Sequence, residues 1–189
     1  MSKKEYLHRK LEHNIYDCDA PCKKPVIQML LGRGDLNANI MLVGIGPNIS
    51  YNGMGGRSVF GDYGKSGRKV EKILQLIATK AENKKIKEKS SFWLTNIIKC
   101  GCPKTEFSQV MSRCKKFLDE EIAIINPKII VLFGGKVIKH VLREKMKHGK
   151  VTLLDKKYYI HSYHPSPLSL LHEAEIQLLA DIIVNKLQM

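Results

Sequence analysis

The 189-residue sequence has no apolar run long enough to cross a bilayer; its longest, IIVLFGG at 129–135, falls far short of the roughly 20 residues a span requires. The start, MSKKEYLHRKLEHNIYDC, is basic and polar without an apolar h-region, so no signal peptide is expected. Acidic side chains are scarce: 18 Asp and Glu stand against 32 Lys and Arg, a formal net charge of +14. There is no internal repeat, little low-complexity sequence and no linker that would divide the chain. P-loop and dinucleotide fingerprints are also missing. These absences exclude a membrane span, a repeat array and the common nucleotide-cradling loops. They leave a cytoplasmic protein read as one domain over 1–189, a length sufficient to bury a core without staples.

The basic balance attracts polyanions, and nucleic acid is the commonest such partner; a lysine-rich surface that serves only solubility is the alternative. In a cytosolic setting five cysteines stay reduced, and their short spacings suggest metal or cluster ligation rather than disulfides.

Four buried-strand signals alternate with helical ones: NIMLVGI at 39–45, FWLTNII at 92–98, KIIVLFG at 128–134 and KYYIHSY at 157–163. The first three are near-continuous apolar runs, as expected where helices cover both faces of a sheet. Between them, 65–81 sets Val70, Ile73, Leu74 and Ile77 on one helical stripe. Residues 106–125 do the same with Val110, Cys114, Phe117, Leu118, Ile122 and Ile125, with Thr105 as the expected N-cap. A shorter helix is expected after GGKVIKHVL and a terminal one over 169–188, while 79–89 reads as an exposed helix end and loop. The fold class that follows is α/β: a three-layer domain with a central four-stranded parallel sheet flanked by helices.

Ligands of such sheets bind beyond the carboxyl ends of the strands, so the residues that follow each strand matter most. After the first comes GIGPNISYNGMGGRSVFGDYG, a Gly-rich stretch in which Phe60 offers a flat aromatic face, although a loop aromatic more often anchors on the sheet. After the second, Asn96 carries an amide able to read a base edge. After the fourth, HSYHPSPLSLL combines His164, two stiffening prolines, the hydroxyls of Ser166 and Ser169, and an apolar tip at Leu168. Such a loop suits wedging into a duplex and holding its backbone.

With these motifs in this order, the chain resembles the uracil-DNA glycosylase superfamily from about Cys18 to the final helix. GIGPN followed by GRSVFG looks like the family's water-activating motif and base-stacking segment, including Gly44 in the substrate site. LTNIIKC looks like the uracil-reading strand. HPSPLS looks like the minor-groove intercalation loop, spelled more like that of the cluster-free enzymes. The resemblance extends to the iron–sulfur branch through Cys18, Cys22, Cys100 and Cys114, and it implies a [4Fe–4S] cluster, with zinc on the same thiolates as the alternative. Here the first pair is C-x₃-C where C-x₂-C is usual, and Cys102 competes with Cys100.

The implied activity is hydrolysis of the N-glycosidic bond of uracil in DNA by a monomer without a membrane partner. Phe60 would stack on the base, Asn96 would read it, His164 would stabilise charge on O2, and Leu168 would fill the vacated space between Ser166 and Ser169. The second and third motif positions, polar in the family, are here Ile45 and Gly46. Asn48 is then the residue expected to orient water, with Asp62 the nearest carboxylate. A superfamily member that binds nucleic acid with little uracil activity or a different damaged-base preference is the rival reading. A small-molecule enzyme on the same kind of sheet is the second.

Overall fold

The computed structural model describes residues 1–19, 29–46, 59–60, 64–83, 91–102, 104–166 and 169–189. Its elements run α1 (Lys3–Tyr16), β1 (Arg33–Gly34), β2 (Ile40–Gly44), α2 (Lys65–Asn83), β3 (Phe92–Asn96), α3 (Phe107–Ile125), β4 (Ile129–Phe133), α4 (Gly135–Leu142), β5 (Val151–Leu154), β6 (Lys157–Ser162) and α5 (Glu173–Gln188). The sheet order is β1-β3-β2-β4-β6-β5. The four expected parallel strands, β3-β2-β4-β6, form its centre, and two short antiparallel strands extend it at the edges.

Both edge strands escape sequence reading for the same reason. β1 has two residues and β5 is half exposed, so neither carries the apolar run that marks a strand buried on both faces. α1 was likewise not foreseen, because only Leu11 and Ile15 of its fourteen residues are buried. Its signal lay in the Ser2–Glu5 capping box, whose two reciprocal hydrogen bonds are both formed.

Three helix boundaries need correcting. Thr105 does not cap α3: it lies inside a 3₁₀ turn, Lys104–Glu106, that leads into the helix. The short helix does not follow GGKVIKHVL but is made by it, as α4. α5 starts at Glu173 rather than 169, since Ser169 bonds locally to the Ser166 carbonyl and the Leu171 amide and Glu175 closes back on the His172 amide.

Period-two alternation sends successive strand residues to opposite faces. Met41, Val43, Trp93, Ile130, Leu132 and Tyr159 pack under α1, α3 and α4. Ile40, Leu42, Leu94, Ile129, Val131, Phe133 and Ile160 pack under α2 and α5. The result is three layers: helices, sheet, helices.

One polar group interrupts the first face. Lys99 (1% exposed) donates to Glu121 (2% exposed) at 2.5 Å and to Thr95 Oγ1 at 2.6 Å. Thr95 donates in turn to Glu121 Oε2 at 2.7 Å, and the Trp93 indole N–H donates to Oε1 at 3.0 Å. Every partner lies on β3, just after it or on α3, so the pair ties this helix to the strand that ends in Asn96.

Candidate active site

Strand parity decides which carboxyl-edge residues meet. Gly44, Asn96 and Phe133 end neighbouring strands on the face covered by α2 and α5, and Gly44 stands in register opposite Asn96. The parallel strand order reverses at β2 and β4, which is where a crevice opens in sheets of this type. A methyl group on Gly44 would overlap Asn96 Oδ1 and sit 2.8 Å from Phe60 Cζ. The amide and the ring therefore both close on a Cα that can carry no side chain. The Phe60 ring also meets Phe133 edge to face, with centroids 5.7 Å apart. Phe60, Asn96 and Gly44 are thus brought together, and Phe133 joins them.

The Gly44 backbone lies outside the left-handed region, so alanine there is a steric change only. Gly44→Ala is expected to leave folding intact while separating the amide from the ring. Misplacement by about 1 Å can cost on the order of 100-fold in a preorganised site. Weaker ligand binding at this crevice, with unchanged melting temperature, would check this.

His164 comes from the loop after β6. Its Cβ lies 3.4 Å from where a side chain on Gly134 would begin, and Gly134 has φ +93, a conformation that glycine adopts freely. His164 Nδ1 accepts a hydrogen bond from the Ser166 amide at 3.1 Å, which places the ring proton on Nε2. Burial pushes its pKa below the ordinary histidine value, so the ring is neutral. A neutral imidazole with a free Nε2–H is a hydrogen-bond donor that needs no protonation to act.

The loop beyond is held by its own main chain. Ser169 donates through its hydroxyl to the Ser166 carbonyl at 2.8 Å, and the same hydroxyl accepts from the Leu171 amide at 3.3 Å. Lys69 reaches across from α2 and donates to the carbonyls of Ser166 (3.2 Å) and Leu171 (2.8 Å). Ser166 and Ser169 therefore sit on a braced turn.

A family model of the uracil DNA glycosylase superfamily matches residues 31–188, from β1 through α5. The chain belongs to that superfamily. It is 29% identical over 148 residues to a type-5 uracil-DNA glycosylase of Pyrobaculum aerophilum, covering 72% of this chain and 65% of that relative. It is 26% identical over 177 residues to a type-4 uracil-DNA glycosylase of Thermotoga maritima, covering 89% of this chain and 86% of the relative. A type-4 enzyme of Sulfurisphaera tokodaii is 29% identical over 136 residues, 70% of this chain and 56% of its own length. The chain thus spans less than two thirds of the Pyrobaculum and Sulfurisphaera proteins.

For a superfamily member the cysteines are suggestively placed. Cys18 follows α1, which packs on α3, and α3 carries Cys114. Cys18, Cys102 and Cys114 all border the core on that side of the sheet. Cys100 is buried and bridges to Met29. Among the described residues no three His, Cys, Asp or Glu side chains converge closely enough to hold a metal. Cys22, Asn48, Asp62 and Leu168 lie outside the described residues.

The two motif positions that are polar in the family give no polar group here. Ile45 packs toward the core under α1 and α3, and a Cβ on Gly46 would lie 3.0 Å from Ile98. Ile45 continues the main-chain ladder beyond β2 and β3, with the Ile98 amide donating to its carbonyl at 2.9 Å.

Sequence reasoning missed Phe133, Gly134, Arg33 and Lys69. The first two were open to the logic that found Asn96, since they end the third strand. The cations had no local signal: Arg33 reaches residues 26 and 27 positions away, and Lys69 reaches 97 and 102 away.

Proposed function

We propose that this chain hydrolyses the N-glycosidic bond of uracil in DNA, the first step of base excision repair, as a cytoplasmic monomer. The observation that carries the reading is the closure of the Asn96 amide and the Phe60 ring on the bare Cα of Gly44. The ring is read as the platform for the face of a flat base and the neighbouring amide as the reader of its edge. The superfamily match and the relatives' names support uracil as that base.

The base would be flipped out of the duplex into this crevice. Asn96 pairs with O4 and N3 of uracil; cytosine presents an amine and an unprotonated N3 there, leaving buried polar groups unpaired at about 1–3 kcal/mol each. As the bond lengthens the sugar becomes oxocarbenium-like and negative charge gathers on O2, toward which His164 donates its Nε2–H. Leu168 fills the vacated stack, Ser166 and Ser169 hold flanking phosphates, and Asn48 orients the water that adds to C1′. The strongly basic surface draws in the strand, so binding should weaken steeply with salt.

Cys18, Cys22, Cys100 and Cys114 would hold a [4Fe–4S] cluster, with zinc on the same thiolates as the alternative. The placement of Cys18 and Cys114 on the same side of the sheet supports two members of this donor set. When bound, the group supplies a cross-link between the N-terminal helix and α3. Purified anaerobically, the protein is expected to be brown and to contain iron and sulfide. A colourless protein with stoichiometric zinc would replace the cluster by the alternative.

The activity is tested on oligonucleotides carrying uracil, hypoxanthine or a thymine mismatch, single- and double-stranded. Alkali-labile cleavage at uracil, reduced in Asn48→Ala, is expected. The apolar pair Ile45 and Gly46 favours one second reading, a member with another damaged-base preference, and excision of hypoxanthine but not uracil would establish it. Full uracil excision by Asn48→Ala would remove Asn48 from the mechanism.

A further inference from the structure

We infer that Arg33, on the edge strand β1, is a positioning residue that holds Phe60 in its base-stacking posture. The inference rests on the stacking role proposed for Phe60 above.

Phe60 sits at φ +51, in the left-handed region that bulky side chains avoid. A residue persists there only when its surroundings over-determine it. Among the described residues three contacts do so. Gly44 presents a bare Cα beneath the ring, and Phe133 meets the ring edge to face. The third contact acts on the main chain: Arg33 donates through Nε to the Val59 carbonyl at 3.0 Å and through Nη2 to the Phe60 carbonyl at 3.4 Å. Val59 is itself buried (1% exposed), so its carbonyl has little access to replacement water. A planar guanidinium can donate to two adjacent carbonyls at once, which an ammonium point charge does less well.

β1 is anchored independently of this side chain. Its main chain pairs with β3, Arg33 opposite Leu94, and Leu94 lies two residues before Asn96 on that strand. The brace therefore references the stacking ring to the strand that carries the base-reading amide, so ring and amide keep a fixed relation. In a highly basic chain an arginine at the sheet edge would otherwise be taken for a phosphate contact. The two roles differ in what they predict, because a phosphate contact contributes to the salt dependence of DNA binding, whereas a main-chain brace does not.

The test is a double-mutant cycle of Arg33→Met and Phe60→Ala in the full-length protein, read by single-turnover uracil excision and by inhibition with free uracil. Arg33→Met is expected to raise KM and weaken free-uracil inhibition roughly tenfold, about the lower end for loss of one charge-assisted hydrogen bond. The salt slope of DNA binding should stay unchanged. Arg33→Lys should recover part of the loss. In the Phe60→Ala background Arg33→Met should cost little more, since the ring it holds is gone. Melting temperature and the emission of Trp93 report whether each variant is folded.

Multiplying losses in the cycle, a shallower salt slope or a fully active Arg33→Met would each overturn the inference while leaving the stacking role standing. If Phe60→Ala itself excises uracil normally, the stacking role fails first, and the inference fails with it.

Discussion

Replacing His164 by alanine is expected to lower the rate of uracil excision by about 100- to 1,000-fold, the cost typical of deleting one preorganised donor to a developing oxyanion. The expectation follows from the ring's local geometry. The Ser166 amide engages Nδ1 at 3.1 Å, which leaves Nε2–H as the outward donor, and burial keeps the ring uncharged. The loss should fall on kcat rather than on KM, because the charge on O2 exists only as the bond breaks. His164→Gln, which keeps an N–H donor on a longer arm, should recover part of the rate.

The sign of the pH effect is also determined. Burial disfavours the imidazolium, so the folded-state pKa lies below the unfolded one. The neutral donor then persists as pH falls through the ordinary histidine value, and single-turnover rates should hold there. The same shift makes this residue's contribution to folding stability complete above the unfolded pKa and lost as pH falls toward the folded one. A single-turnover rate that instead declined as pH rose through the ordinary value would mean that a protonated His164 is the donor. A near-wild-type His164→Ala would remove the residue from the chemistry.

Breaking the buried pair is expected to produce the largest loss of stability. Lys99→Met leaves the Glu121 carboxylate almost inaccessible to water, with the Trp93 indole and the Thr95 hydroxyl as its remaining donors among the described residues. Removing one partner of such a pair typically costs 3–5 kcal/mol, about a third or more of the stability of an ordinary domain. For a chain of this length the melting temperature should drop on the order of 10 °C. Replacing both residues at once, Lys99→Met with Glu121→Leu, should recover much of the loss, since a well-packed apolar pair of similar volume leaves no uncompensated charge. Trp93 is the chain's single tryptophan and donates to Glu121, so its emission reports the same transition. If the single and double variants melted at the same temperature, the pair would not be coupled and its role as a tie between β3 and α3 would fall.

The order of strands and helices was legible because its causes are local. Four apolar runs appear as the parallel strands β2, β3, β4 and β6 within a residue or two of their expected limits. The stripe of Val70, Ile73 and Ile77 is buried on α2, and that of Val110, Cys114, Phe117, Leu118 and Ile125 on α3. Period-two alternation acts within a strand, and the helical stripe acts within a turn or two, so each leaves its mark on adjacent residues. The candidate site was legible where it follows the same local logic. Gly44 and Asn96 are the last residues of their strands, and His164 follows the last residue of another by two. What escaped was short or weakly amphipathic: α1, β1 and β5 bury too little to imprint a pattern.

The sequence by itself determined the alternation of elements and the residues at the carboxyl edge. Only the tertiary structure decided what holds those residues in place. The Arg33 brace on Phe60, the Lys69 clamp on the Ser166 and Leu171 carbonyls and the buried Lys99–Glu121 pair join positions between 22 and 102 residues apart. A lysine or arginine in a chain carrying 32 of them reads as solvated surface, because that is where a charged side chain ordinarily rests. Its partner is set by how elements cross in three dimensions. The carbonyls and carboxylate that draw these cations inward face them only once the sheet and its covering helices have packed.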